Sequence, residues 1–528
     1  MIKYKLLVLF LVCNVQVLTA QKTKTYNLVT DFGAKPDDKT DCYPAFAKAA
    51  AVISKAGGGS LIIPKGKYYI ASYKIAGGTQ KNNVTDIIFK DCTGLTIEGN
   101  NSVIRVNGNF WRNRDYQSPG LSHYYAYNSN VCVFKLTNCK NVVLKDIVLN
   151  GEVEKMRKPT GVVEGDSYGV FVADYEPGDV SSNIRLQNIT AHHFAADGIV
   201  IQSSGENIVI TNCNLHHNAR QGLSIVKGSN IKCLFSSFDS TGYAGTYGWH
   251  APGAGIDVEN EFGSGKLKNV LIQNCTFRGN KGFQIVTTPA SDKVIIDSCF
   301  ISDLSAGYSD GLNGVGMYSL NSTLSNSIVF ATIQVDLADA IYKGESVQQF
   351  TKNLIYSGHR GAVSADFARP ANITDNIFIM LPNSQVDTYF PYIQNPNCRF
   401  NRNIVAVHTD RIKRAPNTVT SLAQYTAEVV DDFWIVNSYG YTKNKLQKYC
   451  FYPAFVESKK MGHQFFSPNE KIEALIFEPK KMLLATQVDK ILAPAFFTAF
   501  KQTRFNKTFL QQADTVRKYT AGIIAGVK

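Results

Sequence analysis

Five segments of this chain coincide when they are aligned on their apolar positions: Asn141-Val-Val-Leu-Lys-Asp-Ile147, Asn183-Ile-Arg-Leu-Gln-Asn-Ile189, Asn207-Ile-Val-Ile-Thr-Asn-Cys213, Asn269-Val-Leu-Ile-Gln-Asn-Cys275 and Lys293-Val-Ile-Ile-Asp-Ser-Cys299. Each alternates apolar and polar residues over a few positions and is punctuated by Asn or Gly, the period-two signature of short strands joined by turns. The repeat is about 24 residues, as from Leu186 to Ile210 and from Ile272 to Ile296. A period in the low twenties predicts a β-solenoid, in which a coil buries its apolar face only by stacking on its neighbours. Ile147, Ile189, Cys213, Cys275 and Cys299 then form one inward stack. Weaker coils at 350–356, 372–379 and 398–405 carry the array to about residue 408.

Two units are longer, about 42 residues from Leu144 to Leu186 and about 39 from Cys233 to Ile272. The excess is expected to loop out over 151–174 and 241–253. The second insertion carries Tyr243, Tyr247, Trp249 and His250, aromatics suited to stacking on sugar rings or to packing an Ω-loop on itself. Beyond residue 410 the pattern fades into a Lys-rich mixture of aromatic and helix-forming residues, including 421–430 and 469–516. The expected organisation is a leader over 1–20, a solenoid over 21–408 and a C-terminal extension or cap over 409–528.

A Gly-containing strand recurs once per coil: Asp197-Gly-Ile-Val-Ile-Gln202, Gln221-Gly-Leu-Ser-Ile-Val226, Ala254-Gly-Ile-Asp-Val-Glu259 and Lys281-Gly-Phe-Gln-Ile-Val286. With Ile199, Ile201, Leu223, Ile225, Ile256, Val258, Phe283 and Ile285 inward, alternation places Val200, Ser224, Asp257 and Gln284 in one outward column and Gln202, Val226, Glu259 and Val286 in the next. Asp257 and Glu259 are then expected to face solvent together. Two positions apart on a strand, their Cα atoms lie roughly 6.5–7 Å apart. That is close to the separation at which an inverting glycosidase holds a water between its acid and its base. A Ca²⁺ site or plain surface decoration would use the same pair.

The first residues combine Lys3 and Lys5, an apolar run from Leu6 to Val12 and small residues at Thr19-Ala20, the pattern of a signal peptide cleaved near Ala20 and of a secreted or periplasmic protein. No other stretch reaches the ~18 apolar residues a membrane span requires. The formal net charge of +13 favours an anionic partner, and for an exported chain acidic glycans precede nucleic acid, although Lys scattered densely after Lys443 also serves solubility. Eleven Cys in such a chain suggest disulfides, yet many recur at one point of the repeat, where a small buried residue is expected instead.

The mature N-terminus resembles the opening of the pectate-lyase superfamily through Asp31-Phe-Gly-Ala-Lys35, Asp37-Asp-Lys-Thr-Asp41, a helix-like run from Ala45 to Ala56 and Gly57-Gly-Gly-Ser-Leu-Ile-Ile-Pro-Lys-Gly-Lys-Tyr-Tyr-Ile70. The resemblance covers about residues 25–408. It implies an all-β fold, a right-handed parallel β-helix plugged at its N-terminal end by that helix. The motif's Asp residues read as capping and turn residues. Ala196-Asp197-Gly198-Ile199 is similar to the Asn-Thr-Asp-Gly element of the polygalacturonases, but Arg220-Gln221 stands where that family has paired Asp, and Gly253-Ala254-Gly255 where it has Gly-His-Gly. Hydrolases, lyases, epimerases and tailspikes share the fold, so it does not choose a reaction.

The polar residues around the carboxylate pair are Asp197, Arg220, Gln221, Lys281 and Gln284, with Trp249 and His250 in the loop above. These form the expected substrate-binding set, Arg220 and Lys281 taking a uronate or sulfate. His216 and His217, adjacent on a strand, are expected to point opposite ways. The leading reading is a hydrolase of an acidic or sulfated polysaccharide with Asp257 and Glu259 as acid and base, requiring no cofactor. A Ca²⁺-dependent uronan lyase with Arg220 or Lys281 as base, and a non-catalytic glycan-binding β-helix, are the alternatives.

Overall fold

The computed structural model describes residues 24–71, 85–107, 131–155, 167–242 except 175, 251–260, 267–302, 314–335 except 332, 346–356 and shorter pieces between 365 and 437. Its strands pair in parallel, coil on coil, into a right-handed parallel β-helix. The strand Asp197–Thr211 breaks its register after Gln202, so that it forms two arms of one coil, and Asn214–His216 forms the third. Alternation puts Ile199, Ile201, Ile208, Ile210 and Leu215 inside, all fully buried. Each rests on its equivalent in the next coil: Ile199 on Leu223, then Ile256 and Ile285, and Leu215 on Phe238 and Phe277, whose rings stack at 5.0 Å.

The coil turns at corners held by residues in the left-handed region, which Asn tolerates better than other side chains with a Cβ. At the first corner stand Asn141, Asn183, Asn207, Asn230 and Asn269, with φ between 54° and 62°. Their amides form a ladder, Asn183 Nδ2 donating to Asn141 Oδ1, Asn207 to Asn183 and Asn269 to Asn230, each at 3.1 Å. Asp146, Asn188, Asn212 and Asn274 hold the second corner, and His193, His217 and Ser240 the third.

The expected inward stack forms, with Ser236 inserted between Cys213 and Cys275: both Ser237 and its neighbour in register, Thr276, follow the stacked residues directly. Cys213, Cys275 and Cys299 are buried and free, and burial pushes the Cys213 thiol up to about 12. At the N-terminal end a helix, Tyr43–Lys55, buries Phe46, Ala49, Ala50 and Ile53 against the first coils. Asp37 accepts from the Thr40 amide and hydroxyl, and Asp41 from the amides of Tyr43 and Ala71, so these Asp residues hold turns. Gly58 follows the helix at φ 137°, and a Cβ there would meet the Thr93 carbonyl oxygen at 2.3 Å.

Two expectations change. The 151–174 insertion contains a regular strand, Ser167–Ala173, pairing with Ile199–Gln202, so these residues belong to the repeat and not to a loop. Phe283 is half-buried and outside the core, for a reason given with the site below. The parallel ladder runs to Ile404–His408, against which Phe433–Asn437 pairs antiparallel. The expected leader and the segment after 437 lie outside the described residues.

Candidate active site

The outward line that contains Asp257 is set by backbone register. Phe171, Val200, Ser224, Asp257, Val286 and Gly316 lie side by side in six successive coils. A Gly ladder lies beside it: a Cβ on Gly169, Gly198, Gly222 or Gly255 would sit 2.6–2.8 Å from the carbonyl oxygen of the next coil's equivalent. In the following coil that place is held by Gln284, and Ile285, not Phe283, pairs with Ile256. The expected column of Val200, Ser224, Asp257 and Gln284 is therefore corrected to end in Val286. Gly282 misleads because its own requirement is different, a Cβ there meeting the Pro252 carbonyl. A slip of two residues preserves alternation, so the apolar pattern is blind to it.

Gln284 is fully buried, exchanging hydrogen bonds with Asn280, whose Nδ2 donates to its Oε1 at 2.8 Å. It shapes a turn and is closed off from solvent. Asp257 points away from the core as expected, but it is only 2 % exposed and does not face solvent, whereas Glu259 is half-buried. Gln221 Nε2 donates to Asp257 Oδ2 at 2.5 Å. Asp257 Oδ1 meets no N–H or O–H donor, and the Glu259 carboxyl lies within hydrogen-bonding reach. Burial, followed by the charge of Glu259, pushes Asp257 well above the usual carboxylate range, against the pull of Arg220.

Asp197 is fully buried beside this pair, and Arg220 forks onto it, Nε to Oδ1 at 2.8 Å and the terminal nitrogen to Oδ2 at 2.6 Å. The expected substrate-binding pair is thus first an ion pair: Asp197 is covered, and Arg220, 20 % exposed, keeps its fork on Asp197 while its charge reaches Asp257. Gln221, 2 % exposed, holds Asp257 in place. Lys281 is half-buried in the turn two coils beyond Arg220, its amide bound to the Thr241 carbonyl. Trp249 and His250 lie outside the described residues.

At the third corner four imidazoles form a block that the sequence showed only in part. His192 stacks on His216 at 4.8 Å and His193 on His217 at 5.2 Å. Nδ1 of His192 meets Nδ1 of His193 at 2.6 Å, and the same atoms of His216 and His217 meet at 2.8 Å. His216 and His217 were expected to diverge, but the left-handed backbone of His217 turns its ring back beside its neighbour. Burial, then the neighbouring imidazoles, lowers His192 to about 3 and His216 to about 4, which favours the neutral form of these two rings. Among the described residues no three His, Cys, Asp or Glu side chains converge as a metal site.

No family model matches the chain. It is 26% identical over 345 residues to a probable rhamnogalacturonase B of Aspergillus fumigatus, covering 60% of this chain and 59% of that one. It is 25% identical over 279 residues to an exopolygalacturonase of Arabidopsis thaliana, covering 43% of this chain and 58% of the relative. The chain thus spans less than two thirds of the length of these relatives. Among solved structures, the Streptococcus pneumoniae surface adhesin PfbA superposes with a TM-score of 0.50 at 14% identity, over 73% of this chain and 90% of the adhesin. The likeness to PfbA shows the fold alone. Among the described residues no helix is long and apolar enough to cross a membrane.

Proposed function

We propose that this chain, a right-handed parallel β-helix resembling the pectate-lyase superfamily, is an exported glycoside hydrolase of an acidic or sulfated polysaccharide with Asp257 and Glu259 at its reaction centre. The sequence relatives named as a rhamnogalacturonase and a polygalacturonase support glycan hydrolysis. The observation that carries the reading is a buried carboxyl, held above its ordinary range by burial and by the charge of a second, half-buried carboxyl two residues on along the same strand.

Carboxyls in such unequal surroundings divide the labour of acid and base. Asp257, oriented by Gln221, gives its proton to the glycosidic oxygen as the bond to the anomeric carbon breaks. Glu259 takes a proton from the water that attacks that carbon, and the product carries a new reducing end. Glu259 lies just past the strand Ile256–Val258, so its side chain can swing from Asp257 and open the roughly 6.5–9.5 Å gap that an inverting pair spans. Arg220 limits how far Asp257 rises and thereby keeps the acid strong enough to donate. No cofactor is needed for these steps.

The lyase alternative, in which Ca²⁺ offsets a uronate charge, asks for Arg220 or Lys281 as a free base, and the Asp197 fork opposes that role for Arg220. Incubation with pectic, alginate, carrageenan and neutral glycans separates the readings. New reducing ends without near-ultraviolet absorbance are expected. Unsaturated products that disappear on chelation would select the lyase, and binding with neither product the glycan-binding protein.

A further inference from the structure

The four imidazoles of the third corner stand at the root of the two turns that carry Asp197 and Arg220. His193 precedes Asp197 by four residues, and His216 precedes Arg220 by four. Between rings and fork the turns are zipped together, Ala219 donating to the Phe194 carbonyl at 2.9 Å and Arg220 to the Ala196 carbonyl at 3.0 Å. Asn218 spans the same gap, its Oδ1 accepting from the Phe194 amide at 3.0 Å and its Nδ2 donating to the Ala191 carbonyl at 3.2 Å. Residues 193–197 and 217–221 are thus fastened at one end by stacked rings and at the other by the Arg220–Asp197 fork.

The ring contacts depend on protons. Each Nδ1–Nδ1 contact uses one hydrogen, so one ring of a pair donates and the other accepts. A first added proton enters at Nε2 and leaves that contact intact, but one on each pair sets two positive charges on stacked, half-buried rings of adjacent coils. A second proton on a pair puts hydrogen on both Nδ1 atoms and destroys the contact. Besides the fork, the charged groups beside the block among the described residues are Glu152 and Asp239. Glu152, in the turn whose Val153 amide bonds the His193 carbonyl, is already held by Arg105 at 3.1 Å and Lys155 at 2.8 Å. Asp239 follows His216 in register, with Arg278 beyond it, and its Oδ1 meets no donor. Burial pushes Asp239 up to about 6 against the pull of Arg278. A raised carboxyl favours the closed corner as pH falls, so Asp239 opposes the imidazoles.

We infer that the imidazole block is an acid-sensitive clasp on the Asp197 and Arg220 turns, closed at neutral pH and released in mild acid while the coils themselves stay wound. Release loosens the Arg220 fork and withdraws the charge that Arg220 directs at Asp257, so turnover falls with it. That consequence rests on the proposed role of Asp257 and Glu259, whereas the opening itself does not.

Hydrogen exchange of the full chain between pH 7.5 and pH 5, corrected for the intrinsic pH dependence of amide exchange, tests the clasp by comparing peptides over 193–197 and 217–221 with the arm 207–211. Each imidazole that opening frees to titrate near 6.5 favours the open form roughly thirtyfold at pH 5. The Ala219 and Arg220 amides should lose protection by at least that factor while 207–211 keeps its own. In a His192→Gln, His193→Asn, His216→Gln, His217→Asn variant, with Asn in the left-handed positions as at the first corner, the loss should disappear. Asp239→Asn should leave the loss in place or steepen it. Wild-type protection that is unchanged at pH 5, or that falls equally at 207–211, would overturn the clasp without any variant. So would an acid loss that survives the four substitutions or vanishes in Asp239→Asn. Turnover is followed over the same range: a decline that the fourfold variant prevents ties the clasp to the reaction, and if protection falls while turnover holds, the clasp stands and only its link to Asp257 is lost.

Discussion

The Asn corner and the Asp257 face belong to the same coils, separated by only a few residues, yet they solve opposite problems. At the corner each coil repeats its neighbour's residue, and Asn183, Asn207 and Asn269 each donate to the coil before at 3.1 Å. On the Asp257 face the repeat is broken in three successive coils, by Asp197, then Arg220 and Gln221, then Asp257 and Glu259. Here Gln221 Oε1 is buried without a hydrogen-bond partner, and two carboxyls share one region of low dielectric. The Asn ladder satisfies its own side-chain amides from coil to coil, whereas the Asp257 face keeps a buried carboxyl and an unpartnered Gln221 oxygen, the pattern expected of a functional site.

The comparison breaks first if the strained face does no chemistry. Asp257→Asn and Glu259→Gln should each lower turnover about a hundredfold or more on whichever glycan the wild type degrades. Asp257→Asn should melt no earlier than wild type at neutral pH. A carboxyl raised in the folded state loses stability as pH rises above its unfolded value, and the amide escapes that loss. A large fall in melting temperature with this variant would show that the carboxyl is structural.

Arg220→Ala leaves Asp197 buried without its fork, and is expected to cost about 3 kcal/mol in denaturant unfolding. Arg220→Lys should recover part of this, since an ammonium supplies charge without the two-pronged geometry. A cost near zero would mean that water replaces the guanidinium.

The imidazole block sharpens the contrast through pH. Burial holds His192 at about 3 and His216 at about 4, and lowers His217 as well. The stability tied to their neutral forms is full above the unfolded value of roughly 6.5 and is lost as pH falls through it toward those folded values. Asn150 and Asp239 flank the block in its column. Melting temperature should decline from pH 7.5 to pH 5, and the His192→Gln, His216→Gln double variant should flatten that decline. An unchanged slope would place the sensitivity elsewhere.

The smallest effect is expected at the corner. Asn207→Ala removes one rung of an exposed ladder and places Ala at φ 62°, a cost on the order of 1 kcal/mol with turnover unaltered. A loss of activity there would erase the distinction between the two regions.

The repeat, the inward stack through Cys213, Cys275 and Cys299, and the outward orientation of Asp257 were legible in the sequence. A strand alternates in steps of two, and apolar Ile256 and Val258 fix which side faces the core. The turn roles of Asp37 and Asp41 were legible too, because short-range hydrogen bonds are local in sequence. What lay beyond sequence was everything decided between coils. Only the three-dimensional register moved Gln284 out of the Asp257 column, turned Ser167–Ala173 from loop into strand and bound Arg220 to Asp197. It also gathered His192, His193, His216 and His217 into one block. Alternation cannot detect a shift of two, and a contact between coils is local in space while about 24 residues apart along the chain.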